Sequence, residues 1–171
     1  IVASPGLAPC RRRPLSSNVR RHKRTVMPLN PREVKVGAVA YLDYVALRED
    51  PLVDDGGTNI NRDGPFLCVQ VVGDRSCWIP LTTQARPERL LIDKKWRQGG
   101  SAKFRATDLY LNDGLNTFVG PTTSFVAAGK DEIAFSAFPR PSVRSAGVSA
   151  VIAEINKQGG PLARATDADT Q

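Results

Sequence analysis

Residues 66–81 read FLCVQVV-GD-RSCWIPL, and this stretch decides the fold. Two runs rich in β-branched and aromatic residues flank the dipeptide Gly73-Asp74. Such side chains pack well on a pleated surface, and a Gly-first pair supplies the positive φ that a two-residue turn between twisted strands needs. The stretch predicts an antiparallel hairpin of residues 66–72 with residues 75–81. In a regular register Cys68, Gln70 and Val72 share a face with Arg75, Cys77 and Ile79, while Trp78 joins Val69 and Val71 in core packing. The two cysteines become diagonal neighbours, a poor disulfide geometry, so buried free thiols are expected.

Upstream, residues 36–47 (VGAVAYLDYVAL) read as a first strand, and residues 48–65 form a long polar loop packed with Asp, Asn and Gly. Loops of that length inside a compact domain carry function or move. Downstream, residues 82–88 read as a loop, 89–92 as a short strand and 95–101 as turn-rich. Residues 103–111 and 115–119 read as strands around the turn signal Asn112-Asp113-Gly114, and 124–128 as a further short strand. The last element changes period. Val148, Val151, Ile152 and Ile155 recur at helical spacing, with Ser142 or Ser145 to cap the start and Gly159 to end it. The fold expected is mainly β: a small antiparallel barrel with a C-terminal amphipathic helix packed on it. An open α+β sandwich is the alternative.

The net charge of +7 has a definite location. Residues 1–26 hold seven of the 24 basic residues and no acid, leaving 17 basic against 17 acidic residues in the remainder. Broad attraction to phosphate therefore belongs to the tail, and the domain is neutral. The organisation expected is a disordered basic tail over 1–32, a domain over 33–157 and a polar tail over 158–171. Met27 comes directly after the basic run; its expected role is the true start, with 1–26 as upstream reading frame, and a functional basic arm is the alternative. No stretch is apolar enough for a membrane span, and the first 26 residues lack the apolar run of a signal peptide, so a cytoplasmic protein is expected. Cys10, Cys68, Cys77 and His22 show no zinc-ligand spacing. The single histidine lies in the tail, which excludes a Ser-His or Cys-His nucleophile in the domain. Asp54, Asp55 and Asp63 lack the spacing of a calcium loop and read as solvated acids. No metal and no cofactor is expected.

The order strand, long loop, hairpin, Pro-hydrophobic-Thr, strands and terminal helix resembles the PemK/MazF-type toxin family of small SH3-like barrels. The resemblance rests on Gly64-Pro65-Phe66-Leu67-Cys68-Val69-Gln70, on Trp78-Ile79-Pro80-Leu81-Thr82-Thr83-Gln84, and on the closing leader and helix over 140–155. It spans roughly residues 34–156 in element order and is most specific in the second stretch. It implies an SH3-like barrel acting as a homodimer, a metal-free endoribonuclease on single-stranded RNA, and an antitoxin partner. By position the family's catalytic arginine and threonine map to Arg62 and Thr82. A guanidinium can hold a phosphate in a fork and stabilise charge on phosphorus, and a threonine hydroxyl can orient a phosphoryl oxygen.

Other residues have a functional and a plain reading side by side. Thr83 and Gln84 either bind a base edge or line a loop. Trp96 sits among Lys94, Lys95 and Arg97, a patch suited to stacking a base and holding phosphates; otherwise it anchors a loop over the barrel end. Arg62 is either a phosphate ligand or a solvated loop charge. Two other functions stay open: a non-catalytic barrel that binds protein or nucleic acid, and a structural or assembly protein.

Overall fold

The computed structural model describes residues 28–57, 61–112 and 117–159. The proposed start at Met27, the basic run before it, the turn at Asp113-Gly114 and the polar end from residue 160 lie outside these. The first strand is shorter than its sequence pattern. β1 (Val39–Leu42) stops at Asp43, whose Oδ1 accepts the Ala46 N–H at 3.0 Å and starts a helix, α1 (Tyr44–Glu49). A side-chain oxygen that satisfies an orphan helix N–H sets such a boundary. The hairpin forms as expected from β2 (Gly64–Val72) and β3 (Arg75–Thr82), turning at Gly73 with φ +58°.

Its register carries an irregularity that no local pattern announced. Val72, Val71 and Gln70 pair with Arg75, Ser76 and Cys77; pairing then resumes at Cys68↔Trp78, Leu67↔Ile79 and Phe66↔Pro80. Val69 is an extra residue, and a one-residue bulge sends the side chains beyond it to the other face. Val69 therefore packs with Leu67, Cys77 and Ile79, and not with Trp78 as expected. Trp78 packs with Phe66, Cys68 and Val71 in the opposite cluster. The bulge thus parts the two cysteines into different clusters, both as free buried thiols. Burial pushes each thiol from its ordinary 9.0 up to about 12. With Cys10→Ser removing the third thiol, neither should react with a disulfide reagent at pH 8 until denaturant is added. Rapid native-state labelling of either would contradict this packing. Because the native thiols hold their protons longer than unfolded ones, they favour folding below pH 9, and that advantage falls as pH rises towards 12.

Downstream come β4 (Arg97–Gln98), α2 (Ala102–Ala106), β5 (Tyr110–Leu111), β6 (Phe118–Pro121), α3 (Thr122–Ala127), β7 (Ser142–Val143) and α4 (Ser145–Lys157). Three expectations are corrected here. Residues 103–111 are a helix followed by a two-residue strand, because the Ser101 hydroxyl accepts the Phe104 N–H at 3.1 Å and nucleates α2. Residues 124–128 are helical, and α3 lays Phe125 on Trp78 with centroids 5.6 Å apart. Residues 89–92 hold a single bridge, Leu91↔Tyr110, rather than a strand. The C-terminal helix stands as expected, ending before Gly159 at φ +73°, although Arg144 occupies its N-cap without a side-chain bond. Gly147 is required there, since a Cβ would meet Val143 Cγ1 at 2.6 Å and Trp96 Cβ at 2.8 Å.

The sheet runs β1-β2-β3, and β3 divides its outer edge between β6 at its start and β5 at its end. The ribbon β4-β7 lies against the other margin, where Val39 N–H donates to Pro141 O at 2.9 Å and Val143 N–H to Gly37 O at 2.7 Å. Both faces are covered. α4, Ile92, Phe104, Leu109 and Phe135 pack on one, and α1, α3, Phe118 and Leu29 on the other. Among the described residues the strands do not close into a barrel, and strand and helix take near-equal shares, 28% and 29%. The fold is sheet-rich, with antiparallel sheets and a C-terminal helix, as expected. Leu29 is buried and Arg140 binds Pro28 O and Glu33, so residues 28–32 belong to the packed domain and not to a tail. No helix among the described residues is long and apolar enough to cross a membrane.

Candidate functional site

Hairpin geometry brings the residue before β2 near the residue that ends β3. Phe66 pairs with Pro80, which places Gly64 across from Thr82. Arg62, two residues earlier, and Thr82 accordingly line one cleft of about 720 Å³. Its walls are Tyr41 from β1, residues 61–66, residues 80–84, α2 with Lys103 and Phe104, and a turn carrying Glu132, Ala134 and Phe135. Thr83 and Gln84 are in the lining. Lys95, Trp96 and Arg97 are not.

The groups in the cleft divide by their engagement. Thr82 is nearly buried, and its Oγ1 accepts the Gln84 N–H at 3.2 Å, which leaves the hydroxyl proton to donate. Arg89 donates to Gln84 O at 2.8 Å and to Asn112 Oδ1 at 3.1 Å, fixing the 84–89 loop as the far wall. Asp63 does not pair with its neighbour Arg62. Its Oδ1 accepts the Tyr44 N–H at 2.9 Å and its Oδ2 meets Lys130 Nζ at 2.5 Å. Lys130 also reaches Asp43 at 2.9 Å. Both carboxylates hold the Lys130 ammonium well above the ordinary lysine value, with the Asp63 hydrogen bond the larger cause.

Three ionic side chains of the lining behave differently. Among the described residues, no hydrogen bond or ion pair engages the side chains of Arg62, Lys103 or Glu132. Glu132 is set by a turn in which its carbonyl accepts the N–H groups of Phe135 and Ser136 at 2.8 and 2.9 Å. Tyr41 stands between these charges. Burial first, then Asp63 and Glu132, push its phenol up, while Lys130 and Arg62 act the other way. Arg62 and Glu132 therefore both lie within electrostatic reach of one hydroxyl. The Tyr41 ring packs beside Phe135 at 5.8 Å, giving the cleft an aromatic wall.

The patch around Trp96 lies elsewhere. The Trp96 ring leans on Gly147 of α4, its carbonyl accepts the Arg144 N–H at 2.7 Å, and Lys95 lies 5.5 Å from the ring while pairing with Asp93. Arg97 points inward at 5% exposure, and its guanidinium donates to the carbonyls of Ile92, Phe104 and Thr107. That arrangement leaves it no edge for a phosphate, contrary to the sequence expectation. Asp54 and Asp55 cap their own turns through Gly56 and Gly57 N–H groups, and no group of three His, Cys, Asp or Glu converges among the described residues.

Sequence reading missed Tyr41, Lys103 and Glu132. Their signal is weak: a tyrosine inside an apolar strand, a lysine within a strand-like run, and an acid within KDEIAF. Only the fold brings residues 41, 62, 82, 103 and 132 to one surface. No protein-family model, curated protein or solved structure matches this chain.

Proposed function

We propose that the cleft binds single-stranded RNA and cleaves it without a metal, on a scaffold read as an opened SH3-like barrel. One observation carries the reading: Arg62 and Thr82, from the two ends of the hairpin, line the same cleft as an unengaged carboxylate, Glu132. Arg62 grips the scissile phosphate, whose negative charge grows as phosphorus becomes five-coordinate. Thr82 donates its hydroxyl proton to a phosphoryl oxygen and fixes its direction. Glu132 accepts the proton of the 2′-hydroxyl as that oxygen attacks the adjacent phosphorus. The bond from phosphorus to the 5′-oxygen breaks, the leaving oxygen takes a proton from water, and a 2′,3′-cyclic phosphate and a 5′-hydroxyl result.

Charge supports a polyanionic substrate despite the neutral domain. Arg62, Arg89 and Lys103 line the cleft against Asp63 and Glu132, and Lys130 neutralises Asp63. The same reading carries a cytoplasmic homodimer held in check by an antitoxin protein.

The test is digestion of a long mixed-sequence RNA by the full chain in EDTA, with end-group analysis. Cyclic or 3′-phosphate ends beside 5′-hydroxyls are expected, and Thr82→Val should lower kcat by about 10–100-fold. RNA that stays intact removes the catalytic reading; RNA that is bound but uncut leaves a non-catalytic nucleic-acid module.

A further inference from the structure

Arg62 is an exposed residue on an irregular segment, yet phosphate chemistry requires its guanidinium in one place. The segment is held at the next residue. Asp63 is fixed at three atoms: its carbonyl accepts the Tyr41 hydroxyl at 3.4 Å, Oδ1 accepts the Tyr44 N–H at 2.9 Å, and Oδ2 meets Lys130 at 2.5 Å. Lys130 is itself anchored. Its N–H donates to Tyr41 O at 2.9 Å, and its ammonium also holds Asp43, the residue that caps α1. One lysine thus joins the end of β1, the start of α1 and the approach to β2, and the first and last of these line the cleft through Tyr41 and Asp63.

Stability does not explain this junction. The Lys130 side chain is 44% exposed, and solvent-exposed ion pairs add little to folding because water and salt screen them. One of the two acids that converge on this lysine is Asp63, the neighbour of Arg62 in the lining of the cleft. Neighbouring Cα atoms stand about 3.8 Å apart, so fixing Asp63 fixes the peptide from which Arg62 projects.

We propose that Lys130 is a positioning residue for Arg62, acting through the carboxylate of Asp63. The inference rests on the ribonuclease reading for its effect on turnover, while the clamp can be measured without it. The variants are Lys130→Met, which keeps the aliphatic stem and loses both ion pairs, and Lys130→Arg, whose planar fork can meet two carboxylates. In the full chain, Lys130→Met should lower kcat on single-stranded RNA about tenfold with KM held within about twofold, and Lys130→Arg should recover most of the loss. Thermal unfolding should be nearly unchanged in both. Hydrogen exchange at the Tyr44 amide, whose acceptor is Asp63, should speed up about tenfold in Lys130→Met alone.

A rise in KM with kcat intact would overturn the proposal in favour of a direct phosphate contact, and so would wild-type kcat in Lys130→Met. If the wild-type chain does not cleave RNA, the ribonuclease reading falls by itself, and the exchange measurement still decides the clamp. Unchanged Tyr44 exchange overturns it, and faster exchange confined to the 41–44 and 61–63 segments upholds it.

Discussion

Arg62→Ala should reduce RNA cleavage by about 10²–10³-fold while leaving the unfolding midpoint where it is. The size reflects the work asked of the guanidinium. A fixed cation aimed at charge that develops in the transition state is worth about 3–4 kcal/mol when removed singly, and each 1.36 kcal/mol is about tenfold in rate. The absence of a stability effect comes from placement. Arg62 is exposed, and among the described residues nothing pairs with its side chain, so no packing or hydrogen bond is lost. Arg62→Lys should fall between, because a point charge supplies attraction without the two-pronged geometry. Activity above about a tenth of wild type in Arg62→Ala would remove the arginine from the chemistry. A large fall in midpoint would make it a structural residue instead.

The hairpin and α4 were legible because each repeats its signal. Alternating β-branched residues around Gly73-Asp74 specify β2 and β3, and Val148, Val151 and Ile155 mark one helical face over 13 residues. The three short helices were not legible. α1, α2 and α3 have six, five and six residues, less than two turns, so no helical period can show. Their side chains are strand-like instead: Tyr44, Val45, Phe104, Phe125 and Val126 all favour sheets, and tertiary packing overrides that preference. Asp43, inside a strand-like run, and Ser101, at the end of a turn-rich segment, are the local clues as capping residues. The bulge at Val69 leaves no mark in composition, so a regular register puts Trp78 beside Val69, which instead packs in the opposite cluster. The cleft was half legible. Arg62 and Thr82 lie at the two ends of a hairpin, where register alone brings them near. Glu132 and Lys103 arrive by long-range folding, and nothing in their neighbours announces it.

Arg97 marks where reading a charge from its sequence neighbours fails most, and it yields the largest expected effect on stability. In KKWRQGG it looks like one of several surface cations, but β4 turns it inward beneath α2. There its Nε and Nη2 share Ile92 O at 3.1 and 2.7 Å, and Nη1 reaches Phe104 O at 3.1 Å and also Thr107 O. These carbonyls sit at the end of α2 and the end of the preceding loop, groups that a five-residue helix cannot satisfy itself. Desolvation pulls the guanidinium down from its ordinary value, opposed by Asp108 and Asp93 at a distance, and an arginine stays charged under such pressure. Removing it leaves two buried carbonyls, of Ile92 and Phe104, and the half-buried one of Thr107 without these donors, and a buried one costs about 1–3 kcal/mol if unsatisfied. Arg97→Met, which keeps most of the volume, should therefore cost about 3–5 kcal/mol, or about 10–20 °C in unfolding midpoint for a domain of this size. Arg97→Lys should lose about half as much, since three donors on one nitrogen cannot span acceptors set apart by a planar fork. A midpoint within about 3 °C of wild type for Arg97→Met would mean that water enters beneath α2 and replaces the guanidinium. The wall formed by Lys103, Phe104 and Thr107 would then be mobile, and the cleft would owe its shape to the substrate.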